Sequence, residues 1–147
     1  MRRLLAFVLA LGLVGTAAEL LLLQHYEDGW QALPLVLIGM ALLVMVWHAV
    51  SHGAASVLVL RVLMTVFLAG GAIGAWFHYR ANAEFELEMD PSLAGLALLK
   101  ESMSGATPAL APGTMIELGL IGLVYTYRHP RLARVSSPDV RRQEWDA

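Results

Sequence analysis

Residues 19–30 read ELLLLQHYEDGW, and they mark the point where a long apolar run meets a polar turn. Glu19 lies inside the apolar run, and Asp28 and Gly29 follow it as a frequent turn sequence. Tyr26 and Trp30 are aromatic residues of the kind enriched at membrane–water interfaces. The stretch therefore predicts a membrane-spanning helix that ends near residue 24 and carries one carboxylate at membrane depth.

The composition of the whole chain also indicates a membrane protein. Of its 147 residues, 58% are hydrophobic and 15% are charged, whereas a soluble domain has about 25% charged residues. The apolar residues form four blocks, at 4–24, 33–51, 57–78 and 108–127. A helix of about 20 apolar residues crosses a hydrocarbon core about 30 Å thick. We therefore predict an all-α fold in which residues 1–130 form a four-helix transmembrane bundle.

The long connection at residues 79–107 is predicted to lie on the outer surface. Residues 84–89 read EFELEM, and polar and apolar side chains alternate there with the period of a strand. Asp90 and Pro91 form a typical helix start, and leucines at helical spacing come after them. We expect an extended stretch and then a short outer-surface amphipathic segment that is helical from Asp90.

The placement of arginine predicts the orientation of the chain. If the N-terminus is in the cytoplasm, most cationic side chains lie on that side and most carboxylates lie outside. The cytoplasmic set is Arg2, Arg3, Arg61, Arg128, Arg131, Arg134, Arg141 and Arg142. We predict a multi-pass protein of the bacterial inner membrane, with both termini in the cytoplasm. Residues 131–147 are expected to form a flexible basic tail.

Small residues on two of the predicted spans indicate close contacts between helices. Gly12 and Gly15 share a face of the first span with Glu19, which is therefore expected to point into the bundle. Gly70 and Gly74 form a small-xxx-small pattern in the third span. We expect both faces to pack on another helix, either of this chain or of a second copy.

Two carboxylates and two histidines form the main candidate site. Glu19 and Glu117 both enter the membrane from the outer side, and His25 and His78 lie at the outer ends of spans. Separate buried carboxylates are costly, so a shared proton, a histidine partner or a bound cation is expected. Histidine with carboxylates suits Zn²⁺ or another first-row divalent metal. A proton-sharing pair that only joins the first and fourth helices is the structural alternative.

Weaker metal candidates lie at two other places. His48 and His52 are four residues apart and share a helical face near the cytoplasmic surface. An acidic run in the outer connection could bind a divalent cation through oxygen ligands. It comprises Glu84, Glu86, Glu88 and Asp90.

A haem-b site is a further hypothesis. It uses pairs of histidines that face each other across the bundle, His25 with His78 on the outer side and His48 or His52 with His129 on the inner side. These histidines lie at the ends of spans and not at mid-depth, which disfavours haem.

No sequence motif names a reaction. The chain has no H-E-x-x-H, G-x-S-x-G, phosphate-loop or dinucleotide-binding motif, and no nucleic-acid-binding module. We therefore expect a non-enzymatic accessory or assembly subunit of a membrane complex, whose partners are the lipid bilayer and other subunits or a second copy. The alternative is a protein that binds or transports a cation, metal or proton through the outer Glu and His residues. The third hypothesis is a haem-b electron carrier.

Single cysteines test the predicted orientation, since the chain contains no natural cysteine. A cysteine at Ser92 should react with a membrane-impermeant maleimide in intact cells, because it lies in the outer connection. A cysteine at Ser137 should react only after the membrane is opened. Labelling of both from the same side would show that the predicted topology is wrong.

Overall fold

The structure, a computed structural model, describes residues 1–104 and 112–135. Within these ranges most residues are helical and none forms a strand, so the all-α prediction is confirmed. The helices are α1 (Arg2–Leu22), α2 (Gly29–Ser51), α3 (Ala54–Met89), α4 (Gly95–Met103), α5 (Gly113–Thr126) and α6 (Pro130–Val135). α1, α2 and α3 are long and apolar enough to cross a membrane, which is compatible with a membrane protein.

The fourth predicted span is represented by a shorter helix. α5 is apolar but has only 14 residues, and positions 108–111 of the predicted span lie outside the described residues. A helix of this length extends about 21 Å, which is less than a hydrocarbon core of about 30 Å. The first residues of the predicted basic tail belong to the short helix α6. Residues 136–147 of the tail lie outside the described residues.

The four apolar helices contact one another in a cycle, in which α1 and α3 each pack against both α2 and α5. Leu9, Ile38, Leu60 and Phe67 are fully buried between them. Few other residues of these helices are buried. In the most apolar 18-residue stretch of each helix, 11% of the residues are buried in α1, 17% in α2 and 33% in α3. Since soluble proteins rarely expose large apolar patches, this outer surface requires lipid or protein around it.

Glycines allow α3 and α5 to approach each other closely. A Cβ atom on Gly119 would lie 2.8 Å from the backbone oxygen of Met64, and one on Gly71 would lie 2.9 Å from that of Pro112. At Gly122 a Cβ atom would overlap the side chain of Met64. The two backbones can lie this close only because these positions have no side chain.

The four glycines predicted to pack have different surroundings. A Cβ atom on Gly74 would lie 3.1 Å from a side-chain carbon of Pro112, whereas Gly70 is only at van der Waals distance from α2. Gly12 gives room to a leucine side chain of α5. Gly15 has open space around it, since a Cβ atom there would have no neighbour within 4 Å.

The prediction of an extended stretch at residues 84–89 is wrong. α3 is a single helix of 36 residues that continues through these positions. Arg80 and Glu84 lie one turn apart on it and form a salt bridge of 2.7 Å. Glu, Leu and Met are better helix formers than strand formers, so their intrinsic preference prevails over the alternating pattern. Asn82 donates a hydrogen bond of 2.8 Å to the backbone oxygen of Ser102, which holds α4 against this part of α3.

The predicted start of the surface helix at Asp90 is also wrong, because α4 begins at Gly95. Asp90 instead follows the last residue of α3. Its carboxylate accepts hydrogen bonds from the backbone N–H and the hydroxyl of Ser92, at 2.9 and 2.6 Å. The backbone N–H of Leu93 also donates to the backbone oxygen of Asp90 at 3.2 Å, so these residues close a turn before α4. Gly95 then has φ +57°, which glycine adopts without strain.

Gly119→Ala is expected to destabilise the protein by about 1–3 kcal/mol, because the added methyl group meets a backbone oxygen that cannot rotate away. Unfolding of the purified protein in detergent, followed by circular dichroism, measures this change. Gly15→Ala is the matched control, since its methyl group enters open space. Equal unfolding midpoints for the two variants would contradict the close approach of α3 and α5.

Candidate functional site

Several arginines lie together where α1 begins and α5 ends, which we call the basic end of the bundle. Arg2 donates hydrogen bonds to the backbone oxygens of Tyr125 and Arg128, at 2.6 and 2.9 Å. Arg61 donates to the backbone oxygen of Thr126 at 2.6 Å. Carbonyl groups at a helix C-terminus have no partner within the helix and carry partial negative charge. The two guanidinium groups therefore fasten α1 and α3 to the end of α5.

Three histidine rings and one tyrosine ring are in contact beside these arginines. The ring centroid of His48 lies 5.4 Å from that of His129, 6.3 Å from that of His52 and 6.2 Å from that of Tyr125. We call these four residues the histidine cluster. The sequence indicated the His48 and His52 pair but did not indicate Tyr125 as a site residue. The only sequence feature that connects Tyr125 with the histidines is its spacing of four residues from His129, which would place both on one face of a continuous helix.

Hydrogen bonds assign the proton positions in two of the histidines. The hydroxyl of Ser56 donates to the backbone oxygen of Gly53 at 2.9 Å, so its oxygen accepts from Nδ1 of His48 at 2.7 Å. Nδ1 of His52 donates to the backbone oxygen of His48 at 3.0 Å. When neutral, both rings therefore carry their proton on Nδ1 and present a lone pair on Nε2.

His129 has the opposite arrangement. Its Nδ1 accepts a hydrogen bond of 3.3 Å from the backbone N–H of Arg131, so the neutral ring carries its proton on Nε2. Burial lowers the pKa of His129 from its usual value of 6.5, and nearby groups that carry positive charge when protonated lower it further. These groups are Arg2, His48, Arg131 and Arg61. His129 is therefore neutral near pH 7.

A cavity of about 260 Å³ opens beside the histidine cluster. Apolar side chains from α1, α2 and α3 form much of its wall, and His48, His52 and Tyr125 supply polar groups. Tyr125 is only 7% exposed. Within the part of the chain that the structure describes, its hydroxyl makes no hydrogen bond. The basic end thus combines a partly open cavity with a tyrosine whose hydroxyl has no hydrogen-bond partner among the described residues.

The structure does not bring the predicted outer carboxylates together. Glu19 and Glu117 are both exposed, and neither carboxylate forms a hydrogen bond or an ion pair with a described residue. Leu118 packs on Gly12, so Glu19 lies seven residues, or about 10 Å along α1, beyond the level of Glu117. The expectation that these carboxylates face each other does not match this arrangement.

The rotation of α1 explains why Glu19 does not point into the bundle. Leu9 and Leu13 are fully buried, and Ala17 and Leu20 pack against the same core. These residues occupy the inward face of the helix at its three- to four-residue period. Glu19 precedes Leu20 by one residue, which turns its side chain about 100° away from that face.

His78 and His25 lie at the other end of the bundle. Nδ1 of His78 is buried without a hydrogen-bond partner, and His25 lies within electrostatic reach of it. In residues 1–104 and 112–135, no three His, Asp or Glu side chains converge in a way that could hold a metal ion. The outer set of Glu19, His25, His78 and Glu117 therefore forms no such group. The weaker metal candidates form none either; these are His48, His52, Glu84, Glu86, Glu88 and Asp90.

The haem hypothesis does not fit the geometry of the basic end. Haem iron is held by ligands that approach its flat ring from opposite faces. The rings of His48 and His129 are instead in direct edge-to-face contact, with an angle of 80° between their planes. A macrocycle has no room between them. His52 lies one turn after His48 on the same helix and is bonded to its backbone.

Comparison with known proteins assigns no family. Neither a protein-family model, nor a curated protein, nor a solved structure matches the chain.

Acidification is expected to loosen the turn between α5 and α6. A histidine whose pKa is lowered by folding binds fewer protons folded than unfolded, so its contribution to stability is complete above its usual pKa of 6.5 and falls as the pH drops toward the lowered value. Protonation also removes the acceptor for the Arg131 N–H. Hydrogen exchange at the Arg131 amide, corrected for its intrinsic rate, should be faster at about pH 5 than at about pH 7.

His129→Gln is the control for this experiment, because glutamine does not titrate. The same pH dependence of exchange in that variant would show that another group is responsible.

Proposed function

We propose that this protein is a non-enzymatic subunit of a larger membrane complex, and that it contacts its partner inside the membrane. One observation carries the proposal. Glu117 is an exposed carboxylate on an apolar helix, and no group in the described part of the chain pairs with it. An ionisable residue at membrane depth normally has a partner or a functional role.

Glu117 lies near the middle of the bundle along its length. Thr126 marks the basic end, since its carbonyl accepts the hydrogen bond from Arg61. Glu117 precedes Thr126 by nine residues, which is about 14 Å along α5. With the basic end at a membrane surface, Glu117 is about halfway through a hydrocarbon core about 30 Å thick.

The surroundings of Glu117 support a contact with another helix. Leu120 and Val124 share its face of α5 and are 51% and 58% exposed. A carboxylate that faces lipid at this depth costs about 3 kcal/mol or more. A neighbouring helix with a polar group at the same level would remove this cost and would cover the two apolar side chains.

Charge favours one kind of partner for Glu117. Among the described residues, no positive group lies at the level of Glu117, because Arg61 is at the basic end and Arg80 is about 28 Å further along α3. A second copy in the same orientation would bring only another carboxylate to this level. We therefore infer that the partner is a transmembrane helix of a different protein, with Lys or Arg near mid-depth.

We also propose an orientation and a fourth span. Arg2, Arg61, Arg128 and Arg131 lie toward one end, and the positive-inside rule then favours the cytoplasm for that end and for both termini. The bacterial inner membrane that the sequence analysis predicts remains part of this proposal. α5 and the residues before it are the fourth helix of a transmembrane bundle.

Synthetic transmembrane helices test the contact at Glu117. In lipid vesicles, a polyleucine helix with one central arginine should bind the protein about tenfold more tightly than the same helix with a central leucine. Energy transfer between labelled peptide and labelled protein measures the binding. Glu117→Gln should remove most of this difference, because glutamine cannot ionise.

Glu27→Gln is the matched control, since Glu27 is an exposed carboxylate in the connection between α1 and α2. It should leave the preference for the arginine helix unchanged. Equal binding of the two helices to the wild-type protein contradicts the proposal. Self-association that depends on Glu117, without preference for the arginine helix, would point to a second copy as the partner.

A further inference from the structure

The cavity at the basic end has the composition of a small-molecule site. Ala6, Met45 and Leu60 contribute apolar surface from three helices, and His48 and Tyr125 contribute polar groups. Sites for small molecules are mostly apolar, with a few hydrogen-bonding groups that orient the ligand. This cavity lies at the other end of the described part of α5 from Gly113 and is separate from the outward face of Glu117.

The size of the cavity limits the ligand. A dry cavity of about 150 Å³ holds a benzene molecule. A volume of about 260 Å³ therefore holds one substituted ring but not a whole lipid. Because the cavity is partly open, an alkyl chain attached to the ring could extend out between the helices.

Tyr125 supplies the strongest reason to expect a polar ligand group. Its side chain is 93% buried, being 7% exposed, and its hydroxyl has no hydrogen-bond partner among the described residues. The hydroxyl is not sealed from the cavity, because the buried side-chain atoms without a partner among the described residues are Nδ1 of His78 and Oγ of Ser102. A ligand with a polar group against this hydroxyl would supply the hydrogen bond that no described residue makes to it.

The proton position on His48 restricts the chemistry of that group. Since Nδ1 of His48 donates to Ser56, the ring presents a lone pair on Nε2. A ligand hydroxyl matches both side chains, because it can donate to this nitrogen and accept from the hydroxyl of Tyr125.

Charge and ring geometry narrow the class further. Arg2 and Arg61 fasten the end of α5 nearby, so a cationic ligand is repelled, and the lone pair of His48 does not favour an anion. The rings of His48 and Tyr125 lie at 81° to each other in an edge-to-face contact, and a flat aromatic ligand could pack against them in the same way. We propose that this cavity binds the neutral phenolic head of a membrane-soluble molecule whose apolar tail points into the membrane.

Titration of the full-length protein in detergent with 4-hexylphenol tests the proposal. Calorimetry should show saturable binding, and Tyr125→Phe should weaken it about fivefold to tenfold, because only the hydroxyl is removed. Tyr127→Phe is the matched control, since Tyr127 is 62% exposed and does not line the cavity. It should leave the affinity unchanged.

Two further probes separate the ligand classes. Hexylbenzene lacks the hydroxyl and should bind the wild-type protein about fivefold to tenfold more weakly than 4-hexylphenol, with the difference lost in Tyr125→Phe. 4-Hexylcyclohexanol has the hydroxyl but no aromatic ring and should also bind more weakly. If it binds as tightly as the phenol, the phenolic class is wrong.

A second variant keeps the test valid if Tyr125→Phe fails to fold. Ala49 lines the cavity, so Ala49→Phe should fill it and abolish binding of 4-hexylphenol. Unchanged affinity in this variant would place the ligand elsewhere and overturn the proposal. Equal affinity of the wild type for 4-hexylphenol and hexylbenzene, or no saturable binding of either, would also overturn it.

Discussion

The close approach of α3 and α5 is the constraint on which the rest of the structure depends. Gly119 and Gly71 remove the side chains that would keep the two backbones apart, and Gly122 makes room for Met64. Without a hydrophobic effect between helices in lipid, packing of this kind is a main source of their association. It brings the C-terminus of α5 beside Arg61 and aligns α5 with α1.

The same contact determines which residues of α5 face outward. Met115, Leu118, Gly119 and Gly122 are buried, so one face of the helix is occupied by the bundle. At about 100° per residue, Glu117 and Leu120 must then lie on the other side. The exposed carboxylate is therefore a consequence of the packing of α5, and the partner inferred for it follows from the same rotation.

At the basic end, the arginines stabilise the fold in addition to placing positive charge at one end of the bundle. Arg2 and Arg61 donate hydrogen bonds to carbonyl groups at the end of α5 that have no partner within the helix. This fastening holds Tyr125 and His129 against His48, and the bond from His48 to Ser56 orients its ring. Within the described residues, the hydroxyl of Tyr125 and Nε2 of His48 make no hydrogen bond, and both residues line the cavity.

The sequence by itself determined the all-α class, the three long apolar helices and the uneven distribution of arginine, because block length and composition are local properties. It indicated Gly12 and Gly74 as packing positions but not Gly119 or Gly122. Only the tertiary structure decided that Glu19 and Glu117 face outward and that Tyr125 joins the histidines. The physical reason is that these outcomes depend on the rotation of each helix about its own axis. That rotation is set by contacts between residues far apart in the chain, such as Gly119 with Met64, which periodicity within one helix does not encode.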